Sequence, residues 1–170
     1  MVDRSADTDV MVVVEIPTGS RNKYEWDPQA NALVLDRMMF ASVRYPADYG
    51  FVQDTLGEDG DPLDALVFVS EPTFPGCRIR ARPVGLFNMS DEKGLDQKIL
   101  CVPLRDPAWS HVKDLDDLLP TLLAEVEHFF SIYKDLEGQK TQTAGFADRN
   151  NALEVIEVAR ARWKGSVASG

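Results

Sequence analysis

Between two runs that read as β-strands, the eleven residues from Asp54 to Asp64 (DTLGEDGDPLD) carry five carboxylates, on Asp54, Glu58, Asp59, Asp61 and Asp64, and no base. Like charges this dense repel one another, so the segment is either a fully solvated turn or a place where cations bind. Gly60 and Pro62 interleave with Asp59, Asp61 and Asp64, a pattern that turns the chain and aims several carboxylates together. Oxygen donors of this kind suit hard divalent cations such as Mg²⁺, which keep several waters. A calcium loop of the EF-hand type begins similarly at Asp59-Gly60-Asp61 but fails later. Its sixth position is Asp64 where Gly is required, and its twelfth is Ser70 where a bidentate Glu is required.

The flanks of this segment set the fold class. Val10 to Ile16 is a β-branched run stopped by Pro17 and Gly19, and Lys23 to Trp26 and Ala32 to Leu35 flank the turn Asp27-Pro28-Gln29-Ala30-Asn31 as a hairpin. Tyr49 to Val52, Leu63 to Val69, Arg78 to Met89 and Lys98 to Val102 are further strands, separated by turns rich in Gly, Pro and Asp. Short strands so closely spaced favour an antiparallel barrel or sandwich over parallel βαβ units. The last third changes period. Leu119, Leu122, Leu123, Val126, Phe129, Phe130 and Tyr133 recur at helical offsets 0, 3, 4, 7, 10, 11 and 14, with Pro120 suited to the first turn and Gly138 just past the end. A second helix carries Ala152, Val155, Ile156, Ala159 and Trp163 on one face. At 170 residues one domain is the expectation: residues 10–170, preceded by a polar, flexible extension over residues 1–9.

Eighteen Lys and Arg against 28 Asp and Glu leave a net charge of −10, which argues against nucleic acid, since phosphate neutralisation needs a basic face. An anionic substrate stays open if cations stand between it and the protein. A 44% hydrophobic fraction with eight Phe, four Tyr and three Trp excludes wholesale disorder. Cys77 and Cys101 are too few for a disulfide framework and read as two buried thiols of a reducing compartment. No run of 18 apolar residues is present and the apolar run near the start is only Val10 to Val14, so no membrane span or secretory signal is expected and the location is cytoplasmic.

A second acidic group, Asp91, Glu92 and Asp96, lies with Lys93 and Lys98 around Gly94 on a strand-to-strand turn. It is an ordinary mixed-charge turn unless it faces the first acidic segment, when the two would make a multi-cation site. Lys23, Glu25, Asp36 and Arg37 lie on the proposed hairpin, Tyr45 and Tyr49 lead into the acidic segment, and Tyr133-Lys134 closes the first helix. Such cations and phenols hold phosphate oxygens, or are plain surface groups and sheet-edge packing.

The order of these pieces is what discriminates. Glu15-Ile16-Pro17, Lys23-Tyr24-Glu25, Asp36-Arg37, Tyr45-Pro46-x-x-Tyr49-Gly50, Asp59-Gly60-Asp61-Pro62-Leu63-Asp64, Asp91-Glu92-x-x-x-Asp96-x-Lys98 and His128-Phe129-Phe130-x-x-Tyr133-Lys134 follow one another in the chain. Together they resemble the family I soluble inorganic pyrophosphatases, in particular their actinobacterial-type members, over about Glu15 to Trp163. The resemblance implies an α+β, mainly β fold: a five-stranded, OB-like closed barrel flanked by two C-terminal helices. It implies hydrolysis of pyrophosphate to two orthophosphates with several Mg²⁺ per site, in a homo-oligomer, a hexamer in bacteria.

Carried over by motif position, the resemblance makes Asp59, Asp64 and Asp96 ligands of a tighter metal, with Asp64 bridging to a second. Asp91 and Asp96 meet cations that arrive with the substrate, and Glu15 and Glu25 reach metals through water. Lys23, Arg37, Tyr49, Lys98, Tyr133 and Lys134 match phosphate-holding groups. Asp61 matches the general base, with Asp96 the competing proton acceptor, and His111 and His128 fall on no catalytic position. The chain departs from the pattern at Arg44, either a cation near the substrate mouth or a surface charge, and at Asp135 to Lys140, which lacks a Pro-Gly pair. The rival functions are a metal-dependent phosphohydrolase of another small phosphate anhydride and a non-enzymatic OB-type binding module.

Overall fold

The computed structural model describes residues 8–170; of the expected N-terminal extension, residues 1–7 lie outside the described residues. The chain forms β1 (Val10–Ile16), β2 (Asn22–Asp27), β3 (Ala32–Met38), β4 (Asp48–Val52), β5 (Asp64–Val67), β6 (Arg78–Asp91) and β7 (Gly94–Pro103). Helix α1 (Pro120–Ile132), strand β8 (Gln142–Ala147) and helix α2 (Arg149–Ala168) follow. Strands β1, β4, β5, β7 and β6 are hydrogen-bonded in that order, and β6 pairs back to β1, so five strands close into a ring. A ring with an odd number of strands cannot alternate direction throughout. The antiparallel pattern expected from the sequence therefore breaks once, at β5 and β7, which run parallel. Strand β8 adds to β6 outside the ring, and β2 and β3 form a separate hairpin.

Side-chain alternation along the ring strands feeds two cores on opposite faces. Leu66, Leu100 and Val102 join Phe87, Phe129 and Phe130 under α1, whereas Ala65, Val67, Ile99 and Cys101 join Ala152 and Ile156 under α2. Asp64 and Leu66 share a face, as do Asp96, Lys98 and Leu100, so the register that buries the α1 core also sends three charged groups to its rim. Asp64 lies directly beside Lys98 in the parallel pair.

Helix α1 starts with Pro120 as its first residue and buries Val126, Phe129 and Phe130. Gly138 does not end α1 itself. It caps the short 3₁₀ turn Asp135–Glu137 in the left-handed conformation, φ 74°, which supplies the turn where the Pro-Gly pair is missing. Helix α2 is capped by Asp148, whose carboxylate accepts from the Asn151 N–H at 3.0 Å. Cys101 is buried and Cys77 half-buried, both as free thiols, so only one of the two expected burials is complete. Among the described residues no helix is long and apolar enough to cross a membrane.

Two local features set the site end of the ring. Asp48, fully buried at the start of β4, accepts from the Thr18 N–H and hydroxyl, both at 2.8 Å, on one oxygen, and from the Thr73 N–H and hydroxyl on the other. Four donors satisfy the buried carboxylate and tie the loops after β1 and β5 to β4. Next to it the β1 to β4 register slips: Val14 faces Gly50 and Ile16 faces Tyr49, leaving Glu15 as the extra residue of a bulge. Gly50 permits this approach, because a Cβ there would stand 1.8 Å from the Val13 carbonyl oxygen. Gly50→Ala should therefore cost about 3 kcal/mol or more, read as a lowered urea midpoint, because only a backbone shift relieves the clash. A midpoint equal to wild type would contradict this packing.

Candidate active site

A cleft of about 940 Å³ opens where the ring ends, the β2–β3 hairpin, the acidic loop and α2 meet. Nine carboxylates line it, on Glu15, Glu25, Glu58, Asp59, Asp61, Asp64, Asp91, Asp96 and Glu154, against five cations, on Lys23, Lys93, Lys98, Lys134 and Arg162. Tyr45, Tyr49 and Tyr133 form part of the wall. The two acidic segments thus meet in one cleft. Of the thirteen residues singled out in the sequence, twelve line this cleft. The exception is Arg37, whose guanidinium donates to Glu137 through Nε and to Asp36 through Nη1.

The floor is built around Lys98, 1% exposed on β7. Its ammonium donates to Asp64 Oδ2 and Tyr49 Oη at 2.9 Å and to both oxygens of Asp96 at 3.2 Å. It also lies 5.1 Å from the ring centroids of Tyr49 and Phe130. Burial disfavours that charge, but Asp64 and Asp96 outweigh it and hold the Lys98 pKa above its ordinary value. Burial raises Asp96 in turn, with Lys98 opposing, and pushes the Tyr133 phenol up to about 12.

The remaining groups arrive on turns. The acidic loop is rooted by the buried Thr55 hydroxyl, which donates to the Val52 carbonyl at 2.6 Å and accepts from the Leu63 N–H at 3.1 Å. Within it the Gly57 N–H reaches the Asp61 carbonyl at 2.7 Å and the Asp61 N–H reaches Asp59 Oδ1 at 3.0 Å. Across the cleft, Asp91 accepts from the Lys93 N–H at 2.8 Å in the tight β6–β7 turn. Lys23 bonds Glu25 and lies 3.5 Å from Asp36, while Glu15 accepts from the Trp26 N–H at 2.8 Å. His111 and His128 are exposed and line no part of the cleft. Arg44 donates to the Gly19 carbonyl at 3.0 Å and braces the β1–β2 turn rather than the cleft.

Burial and acidic neighbours together shift the titration of the cleft. Burial first, then Asp64 and Glu25, push Glu15 from its ordinary 4.5 up to about 7, against the Trp26 N–H and Lys23. Burial with Asp59 and Asp64 raises Asp61, and burial lowers Lys134. Among the described residues no three His, Cys, Asp or Glu side chains meet as a ready-made metal cage. A cation such as Mg²⁺ does not need one: it takes one or two carboxylates and fills its octahedron with water and phosphate oxygens. The hard-oxygen donors and the unbalanced negative charge of this cleft fit such ions.

The family model described as inorganic pyrophosphatase matches residues 12–164. The chain belongs to the inorganic pyrophosphatase family. It is 52% identical over 154 residues to the inorganic pyrophosphatase of Streptomyces coelicolor, covering 90% of this chain and 94% of that protein. The inorganic pyrophosphatase of Methanosarcina mazei is 51% identical over 152 residues, 89% of this chain and 90% of its own length. The likeness to an actinobacterial relative is therefore present but not exclusive. The crystal structure of inorganic pyrophosphatase from Thermus thermophilus matches with a TM-score of 0.91 at 42% identity, covering 96% of each chain. The five-strand ring with its two C-terminal helices is thus the fold of this pyrophosphatase family.

Sequence reasoning overlooked Glu154 and Arg162, which reach the cleft from α2, and Glu137, the partner of Arg37. Helical spacing places 154 and 162 off the apolar face, and that was the only signal available for them. The raised Glu15 pKa carries a stability consequence. A carboxyl whose folded pKa is raised contributes stability that is intact below about pH 4.5 and lost as pH rises through about 7. Metal-free protein in EDTA should lose about 2–3 kcal/mol between about pH 5 and about pH 8 through this group. Urea midpoints at the two pH values check it: the loss should shrink in Glu15→Gln, and an unchanged loss there would contradict the assignment.

Proposed function

We propose that this chain hydrolyses inorganic pyrophosphate to two orthophosphates by a water activated with Mg²⁺. The observation that carries the reading is the convergence of twelve motif residues on one acid-rich cleft that also holds Lys23, Lys98 and Lys134. Asp59, Asp64 and Asp96 would hold the tighter cation, with Asp64 shared with a second. Asp91 and Asp96 would meet cations carried in by the substrate, and Glu15 and Glu25 would reach theirs through water. Bound there, divalent cations neutralise diphosphate charge and bring the pKa of a water toward neutrality.

The chain's own groups do the rest by position and charge. Lys23, Lys98 and Lys134, with the Tyr49 and Tyr133 phenols, face the space where phosphate oxygens would lie and offset the charge of the leaving phosphate. Arg37 joins them by exchanging Glu137 or Asp36 for a phosphate oxygen. Asp61 takes the proton of the attacking water. Burial, then Asp59 and Asp64, shift its pKa upward, the direction a proton acceptor needs. Both oxygens of Asp96, the competing acceptor, already accept from Lys98. No covalent phosphoenzyme is required.

The protein works in the cytoplasm, without a nucleic-acid or membrane partner, as a homo-oligomer, a hexamer by analogy with bacterial relatives. Exposed Leu35, Met38, Phe40 and Phe74 suit a contact between copies. Orthophosphate release tests the reading: rapid from pyrophosphate with Mg²⁺, abolished by EDTA and far slower from ATP. No release from pyrophosphate with Mg²⁺ would overturn it, and preferential ATP cleavage would move the substrate to another anhydride. Asp61→Asn should keep Mg²⁺ binding within a few-fold and lower turnover by about 10²–10⁴-fold. Near-normal turnover would transfer the base role to Asp96.

A further inference from the structure

Of the carboxylates in the acidic loop, only Asp64 stands on a strand. It belongs to β5 and is held against β7 by Lys98. Asp59 and Asp61 ride on a turn whose shape comes from bonds within Gly57 to Asp61. Thr55 closes the root of the loop, just after Asp54 takes the left-handed conformation, φ 60°. On its far side the tip runs through Pro62 and the clamped Leu63 into Asp64, and on its near side it is held by the residue between root and turn, Leu56. Both of its peptide groups end on helix α2. The Leu56 N–H donates to the Ala159 carbonyl at 3.0 Å, and the Leu56 carbonyl accepts from Arg162 Nη1 at 2.8 Å. Positions 159 and 162 are three apart on one helix face, so a single patch of α2 grips the loop at one point. The second contact of Arg162, to the almost fully exposed Glu58 carboxylate at 4.0 Å, is a rim pair of little weight.

We propose that Arg162 is a positioning residue for metal binding: through the Leu56 carbonyl it sets where Asp59 and Asp61 stand relative to Asp64. The inference rests on the reading that Asp59 and Asp64 hold divalent cations. An ion shared between a strand-borne and a loop-borne carboxylate is sensitive to anything that lets the loop drift, and outer groups that orient metal ligands typically weigh 10- to 100-fold in affinity. Arg162 acts one step further out, through a backbone carbonyl, so its effect belongs at the lower end.

Titration of metal-free protein with MgCl₂ by calorimetry, together with amide hydrogen exchange of residues 53–63, tests this. Arg162→Met keeps a long aliphatic side chain and removes the donor; Arg162→Ala is the second variant. Mg²⁺ affinity should fall about 5- to 10-fold, and exchange in residues 53–63 should speed up. Arg162→Lys, which keeps a charged donor nitrogen on a shorter reach, should recover part of both losses, and Glu58→Gln should change neither. Unchanged affinity and exchange in Arg162→Met would overturn the proposal. So would a raised KM for pyrophosphate at saturating Mg²⁺ with unaltered metal affinity, which would make Arg162 a substrate contact instead. Asp59→Asn separates the two levels. If it binds Mg²⁺ as wild type does, the metal reading of the loop fails. If it weakens binding while Arg162→Met does not, only the positioning role fails.

Discussion

One buried ammonium, that of Lys98, sets the geometry of the cleft floor. It lies on β7 directly beside Asp64 on β5, in the one parallel pair that an odd-stranded ring must contain. Its three acceptors, Asp64, Asp96 and the Tyr49 phenol, come from three different strands. A buried cation is tolerated only when paired and hydrogen-bonded, and here the partners are satisfied by the same act. Without it, Asp64 and Asp96 would face each other across a few ångströms of low dielectric. The Tyr49 and Phe130 rings beneath the ammonium couple this polar centre to the core under α1.

Lys98 balances one of the two carboxylates it touches, and the rest of the cleft repeats that imbalance. Nine acids against five cations is a costly arrangement for a folded protein, and burial first, with neighbouring carboxylates adding to it, raises the titration of Glu15, Asp61 and Asp96. The net charge of −10 is in this respect not a uniform property of the surface. Part of it is concentrated where divalent cations and a highly charged diphosphate would cancel it. The field a substrate meets is that of the loaded cleft, not of the bare chain.

Strand runs with β-branched residues and Gly/Pro/Asp punctuation are legible, and β1 to β6 fall close to where those signals place them, but β7 begins at Gly94 rather than Lys98, so Asp96 stands on a strand and not on the expected turn. Strand β8 is not legible: Gln142 to Ala147 has only Thr143 as a β-branched residue and contains a glycine, and it owes its conformation to pairing on the edge of β6 rather than to its own composition. The parallel pairing of β5 and β7 follows from ring closure, which no local pattern encodes. The motif acids and lysines could be named from order and spacing, yet the bulge that frees Glu15 depends on Gly50 meeting the Val13 carbonyl, a contact between distant segments. Arg162 looks in the sequence like any cation on the wet face of an amphipathic helix. Its contact with a backbone carbonyl 106 residues away appears only in three dimensions.

The central claim is that the surplus acidity of the cleft is a site for divalent cations. It is tested most directly by the protons that leave when those cations bind. Calorimetric titration of metal-free protein with MgCl₂ in buffers of different ionisation enthalpy counts them. With Glu15 near half-protonation at about pH 7, saturable Mg²⁺ binding should release protons there, the release should fade by about pH 9, and Glu15→Gln should reduce it. No saturable binding, or binding at pH 7 with no proton released, would contradict the account.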